Sequence, residues 1–555
     1  MNSELEKIRS IIEKYALQNA LSYDGKAEVK AVLSKILGEL PELKQRIKEI
    51  LGIVRETVEK VNKLSIEEQR MRLEVVAPEL TLKPEKKKEL KLPQLPNAYE
   101  GIVMRFAPGP SGPLHIGHAR AAILNDEYVK IYNGKLILRI EDTDPDRVLI
   151  EAYDMIYEDL NWLGIKYHEL VIQSNRIPIY YEYAKQLLEI EKAYICTCKP
   201  IDWRKMKKET KECIHRNACK EDNLEKFDKM LANFYKEEEA SLIIKTDIKD
   251  PNPALRDFVA LRIVDKPHPR TKDKYIVYPL MNYSVAIDDH LLKLTHVLRG
   301  KDHLNNTYRQ AYIFDYFSWK KPEYIHYGRV GIEGTVLKKS LIEKGIKEGI
   351  YTGWDDVKLA TLRALKRRGF EPEAIRNYWI SAGIKEVDIK FSWENLYAYN
   401  KEIIDSKANR YFFVDEPVKI RLLGTGKLNA KIPLHPDFED RGKREHEVEN
   451  FVYLSKRDIE ECAPIRLKSL CNIEFINMNE ARYIGSEVVE GIKIIHWVPE
   501  KFIKTRIYMP DGKILSGIAE EYAKNDIGNV VQFERFGFVR IDRFENELVC
   551  YFLHK

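Results

Sequence analysis

His115 and His118 stand three residues apart in "RFAPGPSGPLHIGHAR", residues 105–120, where an apolar strand-like run ending at Met104 turns into a helix-like run. A helix N-terminus carries free backbone N–H groups and about half a positive charge, so it attracts phosphate. At i and i+3 the two rings share one face of the first turn, and each can donate a hydrogen bond to a phosphate oxygen. Gly117 between them leaves room for a flat ring to lie against the backbone. The sequence holds no GxxxxGK[ST], so this nucleotide site is not a Walker loop. A second group is Cys196, Cys198, Cys213 and His215, spaced C-x-C-x14-C-x-H. Three thiolates and an imidazole suit a closed tetrahedral Zn²⁺ site, with Cys219 as the alternative to His215. A third is "LRIEDTDPDR", which sets Glu141 at a strand end, where ligands of open α/β sheets bind. Asp142, Asp144 and Asp146 after it read as caps and solvated acids.

The elements that must hold these groups fall in blocks. Residues 1–82 show helical apolar spacing (Ile8, Ile11, Ile12, Tyr15, Ala16; Val29, Val32, Leu33, Ile36, Leu37), and Ser65 with Glu68 forms a capping box. The Lys- and Pro-rich residues 83–98 read as an exposed linker. From 99 to 189 strand and helix alternate, which predicts a parallel α/β sheet, with "KLILRI" a strand and residues 144–164 a helix opened by Asp144 and Pro145. The Cys-bearing, lysine-rich residues 190–275 interrupt the alternation, which resumes over 276–345. Residues 346–410 are helical, and 411–555 carry short β-like runs separated by turns, as in one or two antiparallel β-barrels. Arg363, Lys366 and Arg367 share one helix face, with Arg368 and Arg376 close in sequence. The 555 residues exceed one core, and 44% hydrophobic with 32% charged residues is a globular composition. Without an apolar run of membrane length, or a signal-like N-terminus, the expectation is a cytoplasmic protein off the membrane. A net charge of +5 permits a nucleic-acid partner without demanding one.

Taken whole, "HIGH" after a Pro/Gly turn and a strand resembles the signature of class I aminoacyl-tRNA synthetases. "TVLKKS", residues 335–340, resembles their later KMSKS-type loop in the form of the glutamyl/glutaminyl branch, with Lys339 matching its second lysine. The resemblance implies a Rossmann-like catalytic domain with an inserted acceptor-binding domain, a helical stem-contact region and C-terminal anticodon-binding β-barrels. Those barrels are similar to the ones of archaeal and eukaryotic glutamyl enzymes and of glutaminyl enzymes, and the chain as a whole resembles the archaeal-type glutamyl-tRNA synthetases. His115, His118 and Lys339 would then be catalytic, with Gly117, Lys338 and Ser340 against ATP. Glu141 resembles the acid that binds the substrate ammonium, and Arg105, with Ala107 beside it, the arginine that grips the side-chain carboxylate. Arg299 resembles a further arginine of glutamate-specific members. Gly109 and Met281 stand where many members carry serine and tyrosine.

The implied reaction joins L-glutamate to ATP, with Mg²⁺, as glutamyl-adenylate, then to the 3'-terminal adenosine of tRNA(Glu), with tRNA(Gln) left open. The implied protein is a monomer, its Zn²⁺ structural and its basic face at 363–367 on tRNA. A glutaminyl-tRNA synthetase is the nearest rival, opposed by Arg299. A tRNA-independent nucleotidyltransferase and a catalytically inactive tRNA-binding scaffold are the others.

Overall fold

A computed structural model describes residues 2–22, 25–40, 43, 47–77, 91–459 and 464–555. The chain divides into two compact units, Met1–Leu90 and Lys91–Lys555. The first holds the expected helices, Asn2–Ser22, Val29–Glu39, Ile47–Val61 and Ile66–Val76. Their apolar stripes, among them Ile8, Ile12, Ala16, Val32, Ile36, Val54 and Val58, make one core. Ser65 and Glu68 close a reciprocal capping box. Half of the linker reading, residues 83–90, falls outside the described residues. The part within them is not free: Leu95 is buried, and its N–H donates to the Tyr132 hydroxyl (3.1 Å).

The second unit is built on a parallel sheet. Val103–Phe106 pairs with Lys135–Ile140, and that strand with Glu169–Ile172; His296–Gly300 pairs with Glu323–Tyr327. The two groups meet where the Thr295 N–H donates to the Val103 carbonyl (3.0 Å). The strand order therefore reverses between Val103–Phe106 and His296–Gly300, and a crevice opens beyond their carboxyl ends. Helix Ile116–Ile131 crosses from the first strand to the second. The expected helix over 144–164 is shorter than its pattern. Pro145–Arg147 form only a 3₁₀ turn and the α-helix runs Ala152–Trp162. The Asp144 carboxylate caps nothing; it pairs with Arg147 (3.3 Å) and Arg262 (3.1 Å) instead.

The insertion is an antiparallel sheet, Ala193–Cys196, Ser241–Ile244, Phe258–Ile263 and Val277–Pro279, with helices Pro200–Lys208 and Lys220–Leu231. Helices Leu362–Arg368, Pro372–Ala382 and Trp393–Ile404 follow. Two curled sheets and a two-stranded antiparallel pair, Leu428–Pro433 with Lys443–Val448, complete the chain. In the seven-stranded one the edge strands Arg410–Tyr411 and Phe413–Asp415 are parted only by Phe412, so a single bent strand serves both edges. The six-stranded one nears closure through paired bonds between Tyr453 and Val498 (2.8 and 3.0 Å). The expectation of purely antiparallel barrels is corrected at four pairings, which are parallel: 410–411 with 530–533, 417–423 with 480–485, 465–467 with 493–495, and 502–508 with 548–554.

Candidate active site

The two histidines cap their own helix. His115 is the N-cap residue, and its Nδ1 accepts from the Gly117 N–H (3.1 Å) and the His118 N–H (3.4 Å). His118 Nδ1 accepts from the His115 N–H (3.2 Å), and the rings stack with centroids 3.6 Å apart. The flat ring that Gly117 accommodates is thus the His115 imidazole, since a Cβ on Gly117 would sit 3.0 Å from its Cε1. A nitrogen that accepts carries no proton, so each ring bears its hydrogen on Nε2 and offers one donor. Burial, with a contribution from Lys339, holds His115 down at about 4 and His118 well below the usual imidazole range. Both rings are therefore neutral donors at pH 7.

Lys339 opens helix Lys339–Lys347, and its Nζ donates to the Gly112 carbonyl (2.9 Å) in the loop before the histidines. Burial lowers its pKa to about 8. Lys338 and Ser340 flank it, both exposed. The loop before His115 is held in turn by the Leu114 N–H, which donates to Asp159 Oδ2 (2.7 Å).

A cavity of ≈ 270 Å³ lies at the reversal point, lined by Arg105, Ala107, Gly109, His118, Glu141, Met281, Arg299, His303 and Tyr327 among others. Arg105 and Arg299 are both buried. Arg105 Nη1 donates to the Leu298 carbonyl (3.2 Å). Arg299 donates to Gln310 Oε1 (3.0 and 3.1 Å) and to Thr307, and lies over the Tyr324 ring. Each Nε lacks a hydrogen-bond partner, and burial lowers both pKa values, Arg299 to about 10. Two buried guanidiniums lining one cavity favour an anion there. Glu141 sits across from them and pairs with the fully buried Arg139 (3.0 Å), which also holds Asp289 (2.6 Å).

Asp142 corrects the reading of that acidic run. It is fully buried and accepts from the Tyr153 hydroxyl (2.6 Å), the Ser174 N–H (2.7 Å) and the Ser174 hydroxyl (2.6 Å). Asp146 is exposed as expected, beside Lys266 (3.1 Å). Tyr327 and His303 escaped the sequence reading. Tyr327 closes strand Glu323–Tyr327, so the strand-end rule that found Glu141 points to it as well.

The Sγ and ring-nitrogen atoms of Cys196, Cys198, Cys213 and His215 all lie within 4.8 Å of one another. The Cys196–Cys213 and Cys198–Cys213 sulfurs are 3.5 and 3.7 Å apart, and His215 Nδ1 is 3.5 Å from both Cys198 and Cys213. A tetrahedron with metal–sulfur bonds of about 2.3 Å has edges of ~3.8 Å, so the set fits Zn²⁺. Thr197 Oγ1 meets the other ring nitrogen of His215 (3.1 Å) and so fixes its orientation. Cys219 is exposed and stands at the N-cap position of helix Lys220–Leu231, without a side-chain capping bond.

On helix Leu362–Arg368, Lys366 is exposed, whereas Arg363 pairs with Glu158 and Arg367 with Asp355 (3.0 Å). Arg368 and Arg376 do not join that face. Arg368 donates to the carbonyls of Phe552 and Leu553, and Arg376 pairs with Asp126 and Glu127.

Residues 101–406 match the family model described as tRNA synthetases class I (E and Q), catalytic domain. Residues 408–491 and 494–542 match two models each described as tRNA synthetases class I (E and Q), anti-codon binding domain. A glutamate–tRNA ligase of Methanocaldococcus jannaschii is 52% identical over 550 residues, covering 97% of this chain and 99% of that one. Glutamate–tRNA ligases of Pyrococcus furiosus and Methanocorpusculum labreanum are 48% and 47% identical, each alignment covering 99% of this chain and at least 99% of the relative.

Proposed function

Because the chain belongs to the class I tRNA synthetases of the E and Q branch, we infer that it is a glutamate–tRNA ligase of the archaeal type. It activates glutamate with ATP and passes the glutamyl group to the 3'-terminal adenosine of tRNA(Glu). The observation that carries the amino-acid choice is the pair of buried guanidiniums of Arg105 and Arg299, which line the same cavity as His118. Glutamate brings two carboxylates and one ammonium to this mixture of charge. Arg105 and Arg299 take the side-chain carboxylate, and Glu141 the ammonium. Glutamine forgoes one charge-assisted bond, worth about 1.5–3 kcal/mol.

The α-carboxylate of glutamate attacks the α-phosphorus of ATP, and pyrophosphate leaves. Charge gathers on the phosphate oxygens in the transition state. The helix N-terminus at His115, the Nε2–H donors of both histidines and the Lys339 ammonium are set to meet it. No side chain needs to act as a covalent nucleophile. Mg²⁺ carried by ATP would neutralise part of the phosphate charge. Cys196, Cys198, Cys213 and His215 would hold a structural Zn²⁺, which would tie together the loops of the insertion.

On this reading residues 190–275 take the acceptor end of tRNA, 346–410 its stem and 411–555 the anticodon. The test is ATP–pyrophosphate exchange with glutamate or glutamine, with and without tRNA, followed by charging of unmodified tRNA(Glu) and tRNA(Gln). Glutamate-dependent exchange and charging of tRNA(Glu) are expected. A preference for glutamine, or exchange without charging of any tRNA, overturns the reading; tRNA(Gln) charging decides whether one or both tRNAs are substrates.

A further inference from the structure

Helix Leu362–Arg368 is only seven residues long, too short to be stable alone. Both of its ends are fixed by directional bonds, and the two ends reach very different places. At its start the Leu362 N–H donates to the Leu114 carbonyl (2.9 Å), and the Ile116 N–H donates to the Ala360 carbonyl (3.0 Å). These bonds bracket His115. Thr361 caps the helix by accepting from the Ala364 N–H (3.1 Å), and its hydroxyl donates to the Trp354 carbonyl (2.6 Å). The Trp354 ring in turn packs against Gly112, whose carbonyl holds Lys339.

At its end the fully desolvated Arg368 donates to the carbonyls of Phe552 (3.2 Å) and Leu553 (2.7 Å), in the last strand of the seven-stranded sheet. Arg540 of the neighbouring strand donates to the Arg367 carbonyl (3.2 Å). Gly369 ends the helix at φ +98°, and a Cβ there would lie 2.5 Å from Val530 of the same sheet. No glycine or proline interrupts residues 360–368. About 10 Å of rigid helix thus joins the histidine-bearing turn to the C-terminal sheet, without a loop to absorb a displacement.

We propose that Ala360–Gly369 is a positioning strut, with Arg368 its anchor, through which RNA engaged at the C-terminal sheet sets the catalytic rate and not only the affinity. The proposal rests on the tRNA-ligase reading above. Neither Thr361 nor Arg368 touches the cavity; each acts through the placement of Leu114–Ile116. A misplacement near 1 Å at a phosphate site costs up to about a hundredfold in rate.

The experiment is a double-mutant cycle on the full chain with Thr361→Val and Arg368→Met. Each single variant is expected to lower kcat of glutamate-dependent ATP–pyrophosphate exchange by about ten- to a hundredfold, with the KM for ATP little changed. The two sites share no bond, so independent defects would add in ln kcat, whereas one strut broken twice loses no more than its worse break. Added tRNA should also stimulate exchange less in Arg368→Met than in the parent, at unchanged tRNA affinity by filter binding. Additive losses, or equal stimulation by tRNA in both proteins, overturn the strut. Should Arg368→Met fail to fold, Arg540→Met loosens the same end more gently and serves the same cycle. A parent that charges no tRNA with glutamate defeats the functional reading itself, and the strut with it.

Discussion

At His118 the imidazole is fixed from two sides, by the His115 N–H on its Nδ1 and by the His115 ring stacked on its face. Its Nε2–H therefore points where the capping geometry sends it, at no cost in reorganisation when phosphate charge develops. His118→Ala should lower kcat by about a hundredfold or more, the loss of one fixed donor to an oxyanion, and leave the KM for ATP nearly unchanged. An unchanged kcat in single-turnover measurements would sink the assignment. Lys339 adds a pH signature. Burial favours its neutral form and brings its pKa from 10.5 to about 8, so the ammonium is present below that value and lost as pH rises through it. In the free enzyme, kcat/KM for ATP should fall above about pH 8, and Lys339→Arg should move that fall to higher pH. A profile flat to pH 10 in the parent would show that the lysine carries no phosphate charge. Arg299 governs the choice of amino acid. Arg299→Ser removes a guanidinium held by Gln310 and Thr307, and should shrink the preference for glutamate over glutamine by about tenfold or more. Equal losses for both amino acids would make Arg299 a structural donor to those two side chains.

The elements that carry these residues were legible to different degrees, and the insertion gives the sharpest test. Four ligand atoms at near-tetrahedral separations bring together the end of strand Ala193–Cys196 and the loop between helices Pro200–Lys208 and Lys220–Leu231. Metal analysis of the purified protein should find about one Zn per chain, and Cys196→Ser should release it while weakening tRNA charging more than glutamate activation. A folded, active, metal-free parent would reduce the cluster to ordinary thiols. Its membership was readable because ligand spacing is local in the chain. The "HIGH" turn was readable for the same reason: a strand, a Pro/Gly turn and a capped helix follow one another directly. Asp142 was not, since its partners Tyr153 and Ser174 arrive from other elements and only tertiary packing takes the carboxylate out of water. The false start of the helix at Pro145 has a similar origin, because Asp144 is drawn to Arg262 across the fold instead of capping locally. In the C-terminal sheets the short runs revealed strands, but strand direction depends on non-local pairing, and the four parallel pairings left no mark in the alternation.

Across the whole molecule, 92 basic and 87 acidic residues nearly cancel, so binding to a polyanion depends on where the cations stand free. The face of helix Leu362–Arg368 illustrates the point. By sequence alone Arg363, Lys366 and Arg367 are three free cations, and removing all three should flatten the salt dependence of tRNA affinity by two to three units. In the structure Glu158 already neutralises Arg363, and Asp355 neutralises Arg367. An arginine that stays paired with its carboxylate neutralises no phosphate and so releases no counterion from the RNA. Only Lys366, exposed on this face, meets phosphate as a free charge. The triple neutral variant should therefore weaken every accepted tRNA alike, since phosphate contacts position the duplex without reading it. Its slope of log affinity against log[salt] should fall by about one unit. Lys366→Ala alone should reproduce nearly all of that change in slope, while Arg363→Ala and Arg367→Ala alter affinity with little change in slope. A fall of three units in the triple variant would mean that tRNA binding strips both arginines from their carboxylates and sends Glu158 and Asp355 into bulk solvent. Wild-type affinity and slope would mean that the tRNA does not cross this helix.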